Sequence, residues 1–344
     1  MPIALPTPYA LFLGNETDIS NAKTAAGIAH WQRENCVCQI RLENGTVDLS
    51  LADMTVQQAV KSGAKCLVIG VANFGGVIAP DWLPVLKSAL EAGLDVAAGL
   101  HARLNDIAEL RNLAEKYGRK LYDIRQPEQV FRVGSGVERT GNRLLTVGTD
   151  CSVGKMYTSL AIEKELRMRG CDATFRATGQ TGVFIARSGV CVDAVVSDFI
   201  SGAAESLSPD NAADHWDIVE GQGSLFHPAF AGVTLGLLHG SQPDALVLCH
   251  DATRETIEDY LDFPIPEFGR CMETYIAAAS LTAPNVQFVG MSINTSKLND
   301  IEAHKYLVRL EHHHNLPCCD PVRTGVAAIV DRMLKINDSS GDRL

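Results

Sequence analysis

The chain has 344 residues, 46% of them hydrophobic, and a formal net charge of −11 at pH 7. That length suits two domains of ordinary size, and that apolar share excludes wholesale disorder. The acidic balance, with no basic stripe, excludes nucleic acid as a bulk partner, and no segment approaches the roughly 20 consecutive apolar residues of a membrane span. The opening Met-Pro-Ile-Ala-Leu-Pro has neither a basic n-region nor a long apolar h-region, so no signal peptide is expected. The ten cysteines are scattered. Cys66, Cys191 and Cys249 sit in apolar runs as small core residues, and the pairs Cys36/Cys38 and Cys318/Cys319 lack the spacing of a zinc finger. The run His312–His314 reads as a solvated helix end. Reduced thiols in the cytoplasm are the expectation, with no metal site.

In chain order, Tyr9–Leu13 predicts a strand ending at Gly14-Asn15, followed by a helix through Ile28 and Trp31 and a second strand at Val37–Ile40. A helix from about Val56 leads to the strand Lys65–Ile69. A helix over Leu83–Ala92 precedes a strand at Asp95–Ala98, and a helix over Asp106–Tyr117 precedes a strand at Leu121–Ile124. Strands alternating with helices at this spacing predict an open parallel α/β sheet, Rossmann-like in rhythm. Its first turn, Gly14-Asn15-Glu16-Thr17, lacks the Gly-x-Gly-x-x-Gly that a dinucleotide requires, which lowers the rank of a nicotinamide-dependent dehydrogenase. Gln126–Gly141, with Pro127 and three glycines, is the natural boundary, giving domains over 1–135 and 140–338.

The second domain opens on the strand Arg143–Val147, the loop Gly148-Thr149-Asp150-Cys151-Ser152-Val153-Gly154-Lys155, and a helix to about Arg169 stopped by Gly170. This is the layout of a phosphate-cradling P-loop, with one more residue between the glycines than the common spacing. Backbone N–H groups, the helix N-terminus and Lys155 all favour a polyphosphate. Met156 follows the lysine, where phosphoryl-transfer enzymes place the hydroxyl that holds Mg²⁺. Further strands are expected at Ala173–Ala177, Ala194–Val196, Asp217–Val219, Ala245–Leu248 and Val286–Gly290. Asp198 and Glu220 would then each follow a strand, where nucleotide enzymes place a working carboxylate, and His227 lies in the same crevice. The fold class expected is α/β: a Rossmann-like N-terminal parallel sheet plus a P-loop NTPase-like domain.

The loop Gly148–Lys155 is similar to that of dethiobiotin synthetase and its relatives, and Val219-Glu-Gly-Gln-Gly-Ser224 is similar to their second motif; of the groups that serve metal and nucleotide there, Glu220 alone is kept. Over nearly its full length the chain resembles a two-domain family long described as of unknown function. The resemblance rests on the P-loop, Arg176-Ala-Thr-Gly-Gln-Thr-Gly182, Asp193-Ala-Val-Val-Ser-Asp-Phe199, Glu220-Gly-Gln-Gly and Asp320-Pro-Val-Arg323. Within it the chain most resembles members that acetylate D-glutamate in D-amino-acid catabolism. The resemblance implies an N-acetyltransferase that takes its acetyl group from acetyl-CoA and requires no metal. The loop from Gly148 to Met156 would then hold the nucleotide end of coenzyme A.

An acceptor with two carboxylates suits arginine, and Arg176 and Arg323 lie beside family motifs, ahead of Arg187, Arg103 and His101. Gln180 and Thr181 complete the expected acceptor contacts, and N–H groups of the Thr178–Gly182 or Gly221–Gly223 turns would steady the thioester oxyanion. A neutral amine needs a general base, for which Glu220, Asp198 and His227 stand in that order. Direct attack makes an acetyl-Cys151 intermediate unnecessary. The partners expected are small-molecule substrates only, with no membrane, and a homo-oligomer. The alternative class is an ATP/Mg²⁺-dependent kinase or ligase of the dethiobiotin synthetase type; a third is a nucleotide-binding sensor without turnover.

Overall fold

The computed structural model describes residues 3–127 and 129–340. Met1 and Pro2, part of the start read above for a leader, and Glu128, inside the expected boundary stretch, lie outside the described residues. The chain packs as two compact units, one of Met1–Glu128 with Gly179–Ala194, the other of Gln129–Thr178 with Val195–Leu344.

The first unit runs β1 (Tyr9–Gly14), α1 (Lys23–Trp31), β2 (Cys36–Arg41), α2 (Val56–Lys61), β3 (Cys66–Ile69), α3 (Leu83–Glu91), β4 (Asp95–Ala98), α4 (Ala108–Tyr117) and β5 (Leu121–Asp123). All five strands pair in parallel, in the order β2-β1-β3-β4-β5. β1 and β3 are buried at every residue, which is why Tyr-Ala-Leu-Phe-Leu and Cys-Leu-Val-Ile read as unbroken apolar runs. Phe12, Ile69, Leu86 and Val96 close the core around Trp82. Thr55 caps α2 with a capping box, taking the Gln58 N–H while Gln58 returns the bond.

The second sheet begins with β6 (Asn142–Gly148) and α5 (Lys155–Met168), then β7 (Ala173–Arg176). α6 (Gln180–Ala186) follows in sequence but packs within the first unit. The chain then resumes with α7 (Ile200–Leu207), β8 (Trp216–Val219), α8 (Ala231–Ser241), β9 (Ala245–Asp251), the short pair β10 (Thr256–Ile257) and β11 (Tyr260–Pro264), α9 (Phe268–Ala279), β12 (Gln287–Asn294), α10 (Asp300–His314), β13 (Cys318–Cys319) and α11 (Ala327–Ser340). Six of these strands form a parallel sheet in the order β13-β12-β9-β6-β8-β7. β6 is central: the strands before β9 lie on one side of it and β9 onward on the other. The crevice beyond its carboxyl end is therefore the switch point where such sheets take ligands.

One expected strand is absent. Ala194–Val196 is flanked by short 3₁₀ turns at Val192–Ala194 and Ser197–Phe199. The chain leaves one unit for the other between Ala194 and Val195, so the segment has no strand to pair with. Asp198 consequently sits in an exposed turn ahead of α7, not at a strand end. The antiparallel pair β10–β11 is an addition the sequence pattern did not announce. All ten cysteines are free; Cys66, Cys191 and Cys249 are buried, as are Cys318 and Cys319 in β13. His312–His314 form the last turn of α10. No helix among the described residues is long and apolar enough to cross a membrane.

Candidate functional site

The loop between β6 and α5 leaves an open cradle of backbone at the start of the helix. Gly154 enters α5 at φ +101°, a left-handed value that glycine adopts without strain, and no side chain caps the first turn, leaving its N–H groups to the loop. A Cβ at Gly148 would stand 2.8 Å from Asp150 O and 3.0 Å from Lys155 Nζ, so a side chain there would fill the cradle. Lys155 is buried and donates to Asp150 O at 2.8 Å, holding its ammonium against the loop. Val153 is packed into the core, and Ser152, at φ +54°, is exposed.

Each side of the loop is tied to a neighbouring strand end. Near the carboxyl end of β9, Thr149 Oγ1 and His250 Nδ1 are 2.9 Å apart, and Thr149 N donates to Cys249 O. Asp150 is fully buried, and three donors hold its carboxylate: Cys151 N on Oδ1, and Arg254 Nη1 and Glu258 N, each at 2.7 Å, on Oδ2. Burial drives the pKa of His250 down from 6.5 to about 4, so its ring is neutral at pH 7. From α9, Tyr275 donates to Gly148 O at 2.7 Å and accepts from Leu225 N. On the β8 side, Gly221 N donates to Thr146 Oγ1, and Thr146 Oγ1 also meets Ser159 Oγ at 3.0 Å.

Glu220 follows β8 and is 3% exposed. Its Oε2 accepts from Thr178 N at 2.9 Å, and Thr178 Oγ1 donates to its carbonyl oxygen. His227 is also 3% exposed, with its ring stacked on Phe230 and edge-on to Tyr260. One ring nitrogen lies within 4.8 Å of an Asp150 carboxylate oxygen and Cys151 Sγ. These three groups have metal-ligand chemistry, yet the Asp150 oxygens already serve three donors and His227 Nδ1 accepts from Ala229 N. Met156 is half-buried, and the aliphatic hydroxyls that follow it in α5, Thr158 and Ser159, turn inward to Gly154 O and Lys155 O.

The arginines beside the sequence motifs have internal partners. Arg176 Nε donates to the buried carboxylate of Asp217 at 2.7 Å. Arg323 pairs with Asp300 and donates to Leu298 O. Gln180 and Thr181 lie on α6 in the first unit: Thr181 bonds Thr24, and the Gln180 side chain packs on Gly99 with its Oε1 buried and unpartnered. His250, Arg254 and Tyr275 brace the loop although the sequence reading did not name them. The first two follow the run Ala245–Leu248, and the same strand-end rule that pointed to Glu220 would have found His250; nothing local in α9 marks Tyr275.

A parallel sheet with a phosphate-cradling loop at its switch point, on a chain that also forms a Rossmann-like sheet, defines a two-domain α/β protein of the P-loop class. Residues 42–127 match the Rossmann-like domain of unknown function DUF1611_N, and residues 132–330 match the P-loop domain of unknown function DUF1611_C. The chain belongs to the DUF1611 family. It is 50% identical over 323 residues to a Pseudoalteromonas protein named D-glutamate N-acetyltransferase, covering 94% of this chain and 97% of that one. A Tritonibacter scottomollicae protein of the same name is 47% identical over 332 residues, covering 96% and 100%. The crystal structure of a DUF1611 family protein from Anabaena variabilis superposes with a TM-score of 0.88 at 33% identity, covering 96% of this chain and 100% of that one.

Proposed function

We propose that the chain moves the acetyl group of acetyl-CoA onto the amine of D-glutamate. The observation that carries this reading is the near-full-length identity, 50% and 47%, to two proteins with that printed activity. The site supports it. The P-loop offers Lys155 and the N–H groups of α5's first turn to the pyrophosphate of coenzyme A. Acetyl transfer needs no phosphoryl chemistry, so Met156 in place of a magnesium-holding hydroxyl costs nothing.

In the reaction the neutral amine attacks the thioester carbon, the C–S bond breaks and the CoA thiolate leaves. The amine proton passes to a base, and the buried Glu220 is our choice. Asp198 is exposed, and His227 accepts at Nδ1 from the chain itself. Gly221, whose N–H is spent on Thr146, leaves Gln222 and Gly223 as the oxyanion donors of that turn. Because Arg176 and Arg323 have internal ion pairs, the acceptor's carboxylates must use other groups or displace these partners.

The test is incubation of the protein with acetyl-CoA and D-glutamate in EDTA, following free CoA and N-acetylglutamate, with L-glutamate and no-acceptor controls. Product from the D-isomer is the expected outcome. ADP formation from ATP and Mg²⁺ with no acetyl transfer would replace this reading with the kinase or ligase.

A further inference from the structure

The second unit holds a cavity of about 460 Å³, lined among others by His250, Arg254, Phe268, Arg309, His313 and His314. We propose that it receives the 3′-phosphorylated adenosine end of coenzyme A; this rests on acetyl-CoA being the donor. Its size lies in the ordinary range for a small-ligand site.

Two of its walls are the braces of the P-loop. His250 meets Thr149 at 2.9 Å, and Arg254 meets Asp150 at 2.7 Å, so a ligand held by the loop has this cavity as its neighbour. Its lining includes a run of rings set edge-on or tilted to one another. His250 and Phe268 have centroids 4.8 Å apart, Phe268 and His314 5.8 Å, and His314 and His313 4.6 Å. With Ile265 and Pro266 alongside, the lining offers a purine an apolar, aromatic surface on which one ring face or edge can pack.

The rim supplies charge for a phosphate. Arg309 is exposed, lies over the Tyr306 ring at 5.1 Å and makes no ion pair among the described residues. Burial, then the neighbouring His313, hold the His314 pKa down, so an arriving phosphate dianion would recruit a proton to His314. Glu267 is the acidic member of the lining, but its oxygens accept the Gly269 and Arg270 N–H groups that open α9, each at 2.9 Å. On a chain of net charge −11, an arginine without an ion pair among the described residues, beside two histidines and an aromatic lining, is a local exception that suits a monophosphate on a nucleoside. The two phosphate groups of the donor would therefore part company: pyrophosphate on the P-loop, 3′-phosphate at Arg309.

The experiment compares acetyl-CoA with acetyl-3′-dephospho-CoA as donors in wild type, Arg309→Gln and His313→Gln. The wild type should show a KM about tenfold lower for acetyl-CoA, the value of one charge-assisted contact. Arg309→Gln should raise that KM by about the same factor and leave the KM for the dephospho donor in place. Equal KM values for the two donors in the wild type, or an equal rise for both in the variant, would overturn the proposal. Calorimetric titration with adenosine 3′,5′-bisphosphate and with 5′-AMP separates this from the acetyltransferase reading. A preference for the bisphosphate that Arg309→Gln abolishes, without acetyl transfer, keeps the subsite and removes the reaction. Indifference between the two nucleotides removes the subsite, whatever the turnover.

Discussion

His227 accepts the Ala229 N–H at Nδ1, 3.1 Å away, and this bond sets the position of its proton. A neutral imidazole has one donor and one acceptor nitrogen, so with Nδ1 accepting, Nε2 carries the hydrogen. Phe230 and Tyr260 hold the ring in place, with centroids 4.5 and 5.1 Å from its own. So arranged, the ring offers a donor and no free acceptor, which is why we propose Glu220 and not His227 as the base. His227→Gln, which keeps an N–H donor, should therefore retain activity within about tenfold. His227→Ala, which removes both the donor and the ring packed on Phe230 and Tyr260, should lose more activity than His227→Gln. The limbs of the kcat/KM–pH profile should be the same in wild type and His227→Gln. Equal damage by both substitutions, or loss of a limb in the glutamine variant, would restore His227 as the base. Sequence alone could not distinguish these roles, because the Nδ1 partner comes from the local turn and not from residue identity.

At the scale of the element, β6, its loop and β8 meet at Gly221. A Cβ there would lie 1.7 Å from Thr146 O and 3.0 Å from Lys155 Cδ, so any side chain pushes the β8 turn off β6 and displaces the lysine. Gly221→Ala should destabilise the protein by about 1–3 kcal/mol, the range for overpacking, and raise the KM for acetyl-CoA. Gly232→Ala, in α8 with nothing within 4 Å of the added carbon, should instead gain about 0.5–1 kcal/mol from helix propensity. Urea midpoints for the two variants check both signs at once. Elements of this kind were legible beforehand: buried parallel strands leave apolar runs, and Gly148, Gly154 and Gly170 mark loop and helix limits. Gly170, at φ +80°, ends α5 where expected. Ala194–Val196 misled because three apolar residues resemble a buried strand, and only tertiary context supplies or withholds a pairing partner. β11 escaped notice for the opposite reason: four of its five residues are exposed, so it leaves no alternating pattern. The packing of α6 within the first unit is likewise a tertiary fact, carried by Thr181 on Thr24 and Gln180 on Gly99.

For the molecule as a whole, acid stability turns on how buried groups titrate against a net charge of −11. His250 is the sharpest case. Its folded pKa of about 4, set first by burial, then raised by Asp251, lowered by Arg254 and raised by Asp150, stands below the ordinary 6.5. Between those values the unfolded chain binds a proton that the folded chain refuses, so stability is complete above pH 6.5 and declines as pH falls toward 4. From pH 7.5 to pH 5 this single group should cost about 2 kcal/mol of unfolding free energy. Reduced self-repulsion among carboxylates acts the other way over the same interval, but it is common to wild type and variants and cancels in their difference. His250→Gln should therefore lose about 2 kcal/mol less than wild type over this span, whatever its absolute stability, when urea unfolding is followed at the two pH values. Parallel losses would mean that His250 takes up its proton in the fold as readily as in the unfolded chain. Its contact with Thr149 would then put a positive charge directly behind the P-loop, and the anion affinity of the loop should rise in acid instead of staying level.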